Sequence, residues 1–259
     1  MKKYLMYICL LIFLMPNLYA ESGRTIMQNV IDNQKVSSSA MDIRMVLIDK
    51  NGGNSNRRIQ TLVVDEDGLT KTITLFLEPA SVKNTRFLTI QNESRDDDQW
   101  IYLPALRKVK RIAATEKDGS FMGSDFSYSD MSFSQDAVGD STHTLLREET
   151  LNDVECYVVE SIPKAPGDSS YGKQISWVDK ETWLTARVEF YAKDKTTLDK
   201  VLTSEDFKQI EGRWIAGRVT MTTNLSGHKT VLEIKQVKYG IPINSAYFTT
   251  RFLETGRIR

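Results

Sequence analysis

The sequence has 259 residues, 41% hydrophobic and 26% charged, and its 34 Lys+Arg exactly balance 34 Asp+Glu. That balance argues against a general nucleic-acid binder, whose affinity comes from neutralising phosphates. It also argues against disorder, which needs low hydrophobicity and high net charge. The chain is long enough to bury a substantial core.

The first twenty residues have the layout of a secretory signal. Lys2-Lys3 precedes an almost wholly apolar run from Tyr4 to Met15, followed by the helix-breaking Pro16-Asn17 and the small Ala20. An apolar run of about 12 residues is short for a membrane span, which needs roughly 20. The expectation is cleavage after Ala20, leaving 21–259 as a single exported domain. Cys9 would leave with the leader. Cys156 would then have no internal disulfide partner, and its strand-like surroundings suit a small buried hydrophobe.

Thr25 to Val36 carries Ile26, Met27, Val30 and Ile31 at helical spacing. From Ala40 the period becomes two. Met41, Ile43, Met45 and Leu47 share one face of a strand, and Asn51-Gly52-Gly53 turns the chain. Arg58–Asp65 is the next strand and Asp67-Gly68 the next hairpin turn. Ile73, Leu75 and Leu77 then alternate with Thr72, Thr74 and Phe76. Lys83–Gln91 and Gln99–Leu103 continue the meander. The second half predicts strands at Thr142–Glu149, Glu155–Ile162, Lys173–Asp179, Leu184–Ala192, Leu198–Ile210, Trp214–Leu225 and Thr230–Tyr239. The sum is a mainly β domain of about ten to twelve antiparallel strands.

The stretch from Thr115 to Gly139 is Gly- and Ser-rich, yet carries Phe121, Met122, Phe126, Tyr128, Met131 and Phe133. A loop this apolar must lie on something hydrophobic. Enzyme signatures are thin. His143 and His228 stand far apart at strand edges and read as satisfied or surface residues, and Asp96-Asp97-Asp98 reads as a solvated turn. There is no Gly-x-Ser-x-Gly elbow, His-Glu-x-x-His motif or P-loop. An integral outer-membrane barrel is disfavoured, because the strands lack a continuous lipid-facing belt.

The basic run Arg107-Lys108-Val109-Lys110-Arg111 follows the aromatic strand Trp100-Ile101-Tyr102-Leu103-Pro104. Cations beside rings suit an amphiphile, with phosphate on the charges and acyl chain on the rings. The same run would also serve as a charged, aggregation-resistant sheet edge.

Asp98 to Ile112, Gly119 to Tyr128 and the ending Tyr247-Phe248-Thr249-Thr250-Arg251-Phe252-Leu253 together resemble the LolA-like outer membrane lipoprotein-sorting protein family. The resemblance covers essentially the whole mature chain. It implies a half-open antiparallel β-barrel wrapped round a hydrophobic cavity, with an N-terminal helix and a central lid. It implies a periplasmic, monomeric carrier of lipoprotein or lipid acyl chains that uses no cofactor or metal, partnered by an RND-type inner-membrane transporter. With it, Met41, Ile43, Met45, Leu47, Ile73, Leu75, Leu77, Val188, Phe190, Val219 and Met221 are expected to line the cavity. Phe121, Met122, Phe126 and Tyr128 are expected in the lid or mouth. Trp100, Tyr102, Arg107, Lys108, Lys110 and Arg111 are expected to meet a head group or a protein partner. The rival reading is an accessory protein that docks on an envelope transporter and carries nothing.

Overall fold

A computed structural model describes residues 22–93, 95–132, 138–165 and 169–258. The expected signal segment and Phe133 lie outside the described residues. Helix α1 (Gly23–Gln34) starts two residues earlier than its apolar spacing predicts, because the Ser22 hydroxyl accepts from the Thr25 amide at 3.1 Å and caps it. Its C-terminal carbonyls are satisfied by Arg213, whose guanidinium donates to Asn33 O and Lys35 O at 2.7 and 2.6 Å.

Among the described residues, thirteen strands follow in one antiparallel sheet. The first half supplies β1 (Ser38–Ile48), β2 (Asn54–Glu66), β3 (Leu69–Glu78), β4 (Arg86–Ile90), β5 (Asp98–Leu103) and β6 (Lys108–Arg111). The second half supplies β7 (Ser141–Leu151), β8 (Val154–Pro163), β9 (Lys173–Asp179), β10 (Thr185–Tyr191), β11 (Leu198–Ile210), β12 (Arg213–Thr223) and β13 (His228–Tyr239). The strand beyond the predicted range is β6, formed by the basic run itself. Residues 67 and 68 both take positive φ at the β2–β3 turn, and so do Glu211 and Gly212 at the β11–β12 turn. That geometry matches the twist of the strands it joins.

The sheet order is β6-β5-β4-β3-β2-β1-β13-β12-β11-β10-β9-β8-β7, so each half is a meander and β1 pairs with β13 at the centre. The sheet does not close: β6 and β7 remain its edges. It is strongly curled all the same. Gln99 of β5 donates to Tyr128 O, and Lys200 of β11 donates to Asp130 two residues further on. Seven strand steps separate these strands, which on a flat sheet would hold them about 34 Å apart.

Three segments cover the sheet. Helix α1 lays Ile26 and Val30 on Val159 and Val178 of β8 and β9. The central segment from Ile112 to Met131 packs against β1–β5, β10 and β12. The C-terminal segment, ending in α2 (Thr250–Thr255), covers the opposite face of β2–β5 with Phe248, Phe252 and Leu253. Arg86 holds α2 there by donating to Leu253 O at 2.6 Å, with its guanidinium 5.0 Å from the Tyr102 ring centre.

Candidate functional site

The face under the central segment is the candidate site. Parity along each strand and the pairing register fix its membership. Met41, Ile43, Met45 and Leu47 of β1 stand beside Ile59 of β2, Phe76 of β3, Phe87 of β4 and Ile101 of β5 in one cluster. Val188 and Phe190 of β10 and Val219 and Met221 of β12 join it from the other side.

Phe121 fills the middle of this face. It is fully buried, with ring centres 5.9 Å from Phe76, 4.9 Å from Phe87 and 5.8 Å from Tyr128. Phe126 is buried beside it, and Met122 and Tyr128 are half-buried against the same cluster. The segment forms a small hairpin: the Phe121 amide donates to Phe126 O at 2.7 Å, and Ser120 bridges Ser127. Met122 and Gly123 take the positive φ values the tip needs. Among the described residues, then, the interior of the curled sheet is occupied by a loop rather than by the strands' own side chains alone.

Two buried carboxylates hold the loop down. Asp125 accepts from Thr223 Oγ1 at 2.6 Å, Thr230 Oγ1 at 2.7 Å and His228 Nδ1 at 2.7 Å, tying the hairpin tip to β12 and β13. Its backbone amide also donates to Thr230 Oγ1 at 3.0 Å. Asp130 accepts from the Tyr171 hydroxyl at 3.0 Å and from Lys200 Nζ at 3.3 Å. Burial, with Asp130 adjoining, pushes the Tyr171 hydroxyl well above the usual phenol range and keeps it a donor. On the other side Gln99 Nε2 donates to Tyr128 O at 2.8 Å, and Arg57 donates to Met122 O at 2.6 Å.

The expected wall residues separate into two groups. Those of β1, β10 and β12 lie together under the loop. Ile73 and Leu75 do not. They pack on the opposite face, under Phe248, Phe252 and Leu253. The β3 residues that face the loop are Thr72, Thr74 and Phe76. Leu77 is half-buried at the β2–β3 bulge, outside the cluster under the loop.

The expected head-group residues also divide. Trp100 and Tyr102 pack within the C-terminal cluster, on the face away from the loop. Lys110 pairs with Glu116 at 2.5 Å. Arg111 joins Arg95 on Asp98, and the two guanidiniums, Arg95 first, hold that carboxyl well below the usual range. The side chains of Arg107 and Lys108 have no ion pair or hydrogen bond among the described residues. They line a groove of about 450 Å³ with Val109, Thr250, Arg251 and Glu254.

Arg57 and Asp125 were not singled out from sequence. Arg57 was readable in principle: it shares its face with Ile59 and Thr61, and burial lowers its pKa. Cys156 is fully buried in a separate cluster with Val158 and Trp177, and burial pushes its thiol up to about 11. Among the described residues, no group of three or more His, Cys, Asp and Glu could hold a metal ion, and no helix is long and apolar enough to cross a membrane.

A protein-family model with the description "-like: Uncharacterized protein" matches residues 68–255. An outer membrane lipoprotein-sorting protein domain from Vibrio parahaemolyticus is 31% identical, with a TM-score of 0.82 over 90% of this chain and 98% of that one. The chain belongs to the outer membrane lipoprotein-sorting protein family. A DUF1329 family protein from Desulfovibrio piger is similar to this family member at 28% identity, with a TM-score of 0.84 over 89% of this chain and 97% of that one. A LolA superfamily protein from Nitrosomonas europaea, 21% identical with a TM-score of 0.71 over 90% of this chain and all of that one, shares the fold. No curated protein matches the sequence. In this lipoprotein-sorting relative the LolA-like sheet is built from thirteen strands and left open, with α1 on one wing.

Proposed function

We propose that this protein is a periplasmic carrier that binds the acyl chains of a lipoprotein or lipid inside its curled sheet. It moves them across the envelope without catalysing a reaction, with an RND-type transporter as partner. The observation that carries this reading is the occupancy of the sheet interior. An apolar face rich in Met and Phe is covered by a loop that is pinned through polar contacts, so the cover can leave without unfolding the strands. The methionines of that face, Met41, Met45 and Met221, supply adaptable walls for an irregular chain. The family's sorting members favour the same role.

Acyl chains would take the place of Phe121 and its neighbours. Each buried methylene contributes ~0.8 kcal/mol, so about ten give roughly 8 kcal/mol, near micromolar affinity before the cost of opening. A carrier needs affinity of that order because it must also release its load. The test is native mass spectrometry and lipid extraction of the protein purified from the envelope fraction. Co-purifying acyl species, released by denaturation, are expected. A ligand-free protein that also fails to bind a hydrophobic fluorophore overturns the proposal.

The unpaired Arg107 and Lys108 favour a second reading, a docking role without cargo. Reversing both charges separates the two. Loss of complex formation in a protein that never carried lipid supports docking alone.

A further inference from the structure

One row of side chains on the loop-covered face is polar and unsatisfied. Thr72 on β3 pairs with Thr89 on β4, and Thr89 pairs with Gln99 on β5, so the three stand side by side on consecutive strands. They share parity with Phe76, Phe87 and Ile101 and therefore face the same interior. Thr72 is 5% exposed, Thr89 3% and Gln99 1%. Among the described residues, Thr72 Oγ1, Thr89 Oγ1 and Gln99 Oε1 nevertheless make no hydrogen bond.

Their neighbours do. Thr61 and Thr74 hydroxyls bond each other at 3.3 Å, and Gln91 Oε1 accepts from the Thr70 amide at 2.9 Å. Gln99 Nε2 is fixed by the Tyr128 carbonyl, which can only accept, and by Ser132 Oγ at 2.9 Å. That assignment leaves the Gln99 oxygen as the unpaired atom. Three adjacent unmet groups in an otherwise satisfied interior are unusual, because a buried polar atom costs free energy until it finds a partner.

We infer that this row is a subsite for a neutral hydrogen-bonding group, the amide or hydroxyl linker next to an acyl chain. The inference rests on the carrier reading above and specifies the ligand. The threonine hydroxyls both donate and accept, and Gln99 Oε1 only accepts, so a group that offers an N–H or O–H to Gln99 and an oxygen to the threonines, as an amide or hydroxyl linker does, matches the row. An anion is the wrong match. The row is flanked by Val63 on β2 and Ile112 after β6, brings no cation, and presents a carbonyl oxygen. From this row the loop-covered face of β2 runs about 20 Å along the strand to Arg57, past Thr61, whose hydroxyl is satisfied by Thr74, and the apolar Ile59. The row thus stands at one end of that face and Arg57 at the other.

The test is the double variant Thr72→Val/Thr89→Val in the full mature protein. The substitution keeps shape and deletes two unpaired hydroxyls, so Tm is expected to hold or rise. Two probes are compared by fluorescence: diphenylhexatriene, which is wholly apolar, and N-palmitoylethanolamine as its competitor. Diphenylhexatriene should bind both proteins alike, whereas the competitor should bind the variant about tenfold more weakly. Equal competition in both proteins removes the subsite and leaves the carrier intact. Equal weakening of both probes assigns the loss to general packing and also removes it. A lower Tm with unchanged binding gives the row to an internal water. Wild-type protein that binds neither probe overturns the subsite and the carrier reading together.

Discussion

Asp125→Asn tests whether the central loop opens as its own unit. The carboxylate is nearly fully buried and accepts three side-chain hydrogen bonds, from Thr223 on Oδ1 and from Thr230 and His228 on Oδ2. Asparagine keeps the shape and one acceptor oxygen but turns the other position into a donor. One or two bonds to a charged group are lost, each about 1.5–3 kcal/mol. Loop closure should therefore weaken by about 1.5–6 kcal/mol, or from roughly tenfold to roughly 10,000-fold in the opening equilibrium. Hydrogen exchange reads this directly. The amides of Phe121, Ser124, Asp125 and Ser127 should exchange faster by that factor, while strand amides of β1 and β13 keep wild-type protection. A hydrophobic fluorophore should also bind the variant faster. The reasoning fails if protection falls equally across loop and strands, since the loop would then be a structural plug that leaves only on global unfolding.

Two further perturbations follow. Ile73→Ala should cost about 2–5 kcal/mol of global stability by urea unfolding, because the side chain is fully buried under Phe248 and Leu253. It should leave acyl binding unchanged, and a large change in affinity would contradict its placement away from the loop. His143 is held neutral by burial, with Ser161 Oγ on Nδ1 at 2.7 Å and Val138 O on Nε2 at 3.2 Å. Its folded pKa lies below the unfolded 6.5, so its contribution is complete above about pH 6.5 and is lost as pH falls through the folded value. Denaturation curves of His143→Gln should show a smaller loss of stability than wild type below that pH, and parallel curves would refute the assignment.

Much of this architecture was readable because strand alternation is a local signal. Met41, Ile43 and Met45 alternate with the polar Asp42 and Arg44, so the face that needed covering was plain over that stretch. The hairpin turns at Asp67-Gly68 and Glu211-Gly212 fixed the order of the meanders. On β3 the same logic named the wrong face. Alternation tells which residues share a side but not which side is which, and β3 is covered on both. The aliphatic set Ile73 and Leu75 went to the C-terminal segment, leaving threonines and Phe76 under the loop. The polar pins were not legible either. Asp125 meets His228 and Thr230 more than a hundred positions along the chain, and no local pattern encodes such a pairing. The basic run conceals β6, because Lys and Arg at an edge strand mark solvent exposure rather than periodicity.

The seam between β1 and β13 has a consequence for biogenesis. The first strand of the sheet waits for the last one to be synthesised, and until Tyr239 can sit beside Ser39 the nascent chain presents two long unsatisfied ladders. Pairing so distant in sequence is slow to form and prone to mistaken partners. A chaperone that holds the newly made polypeptide until both halves are complete would lower that risk.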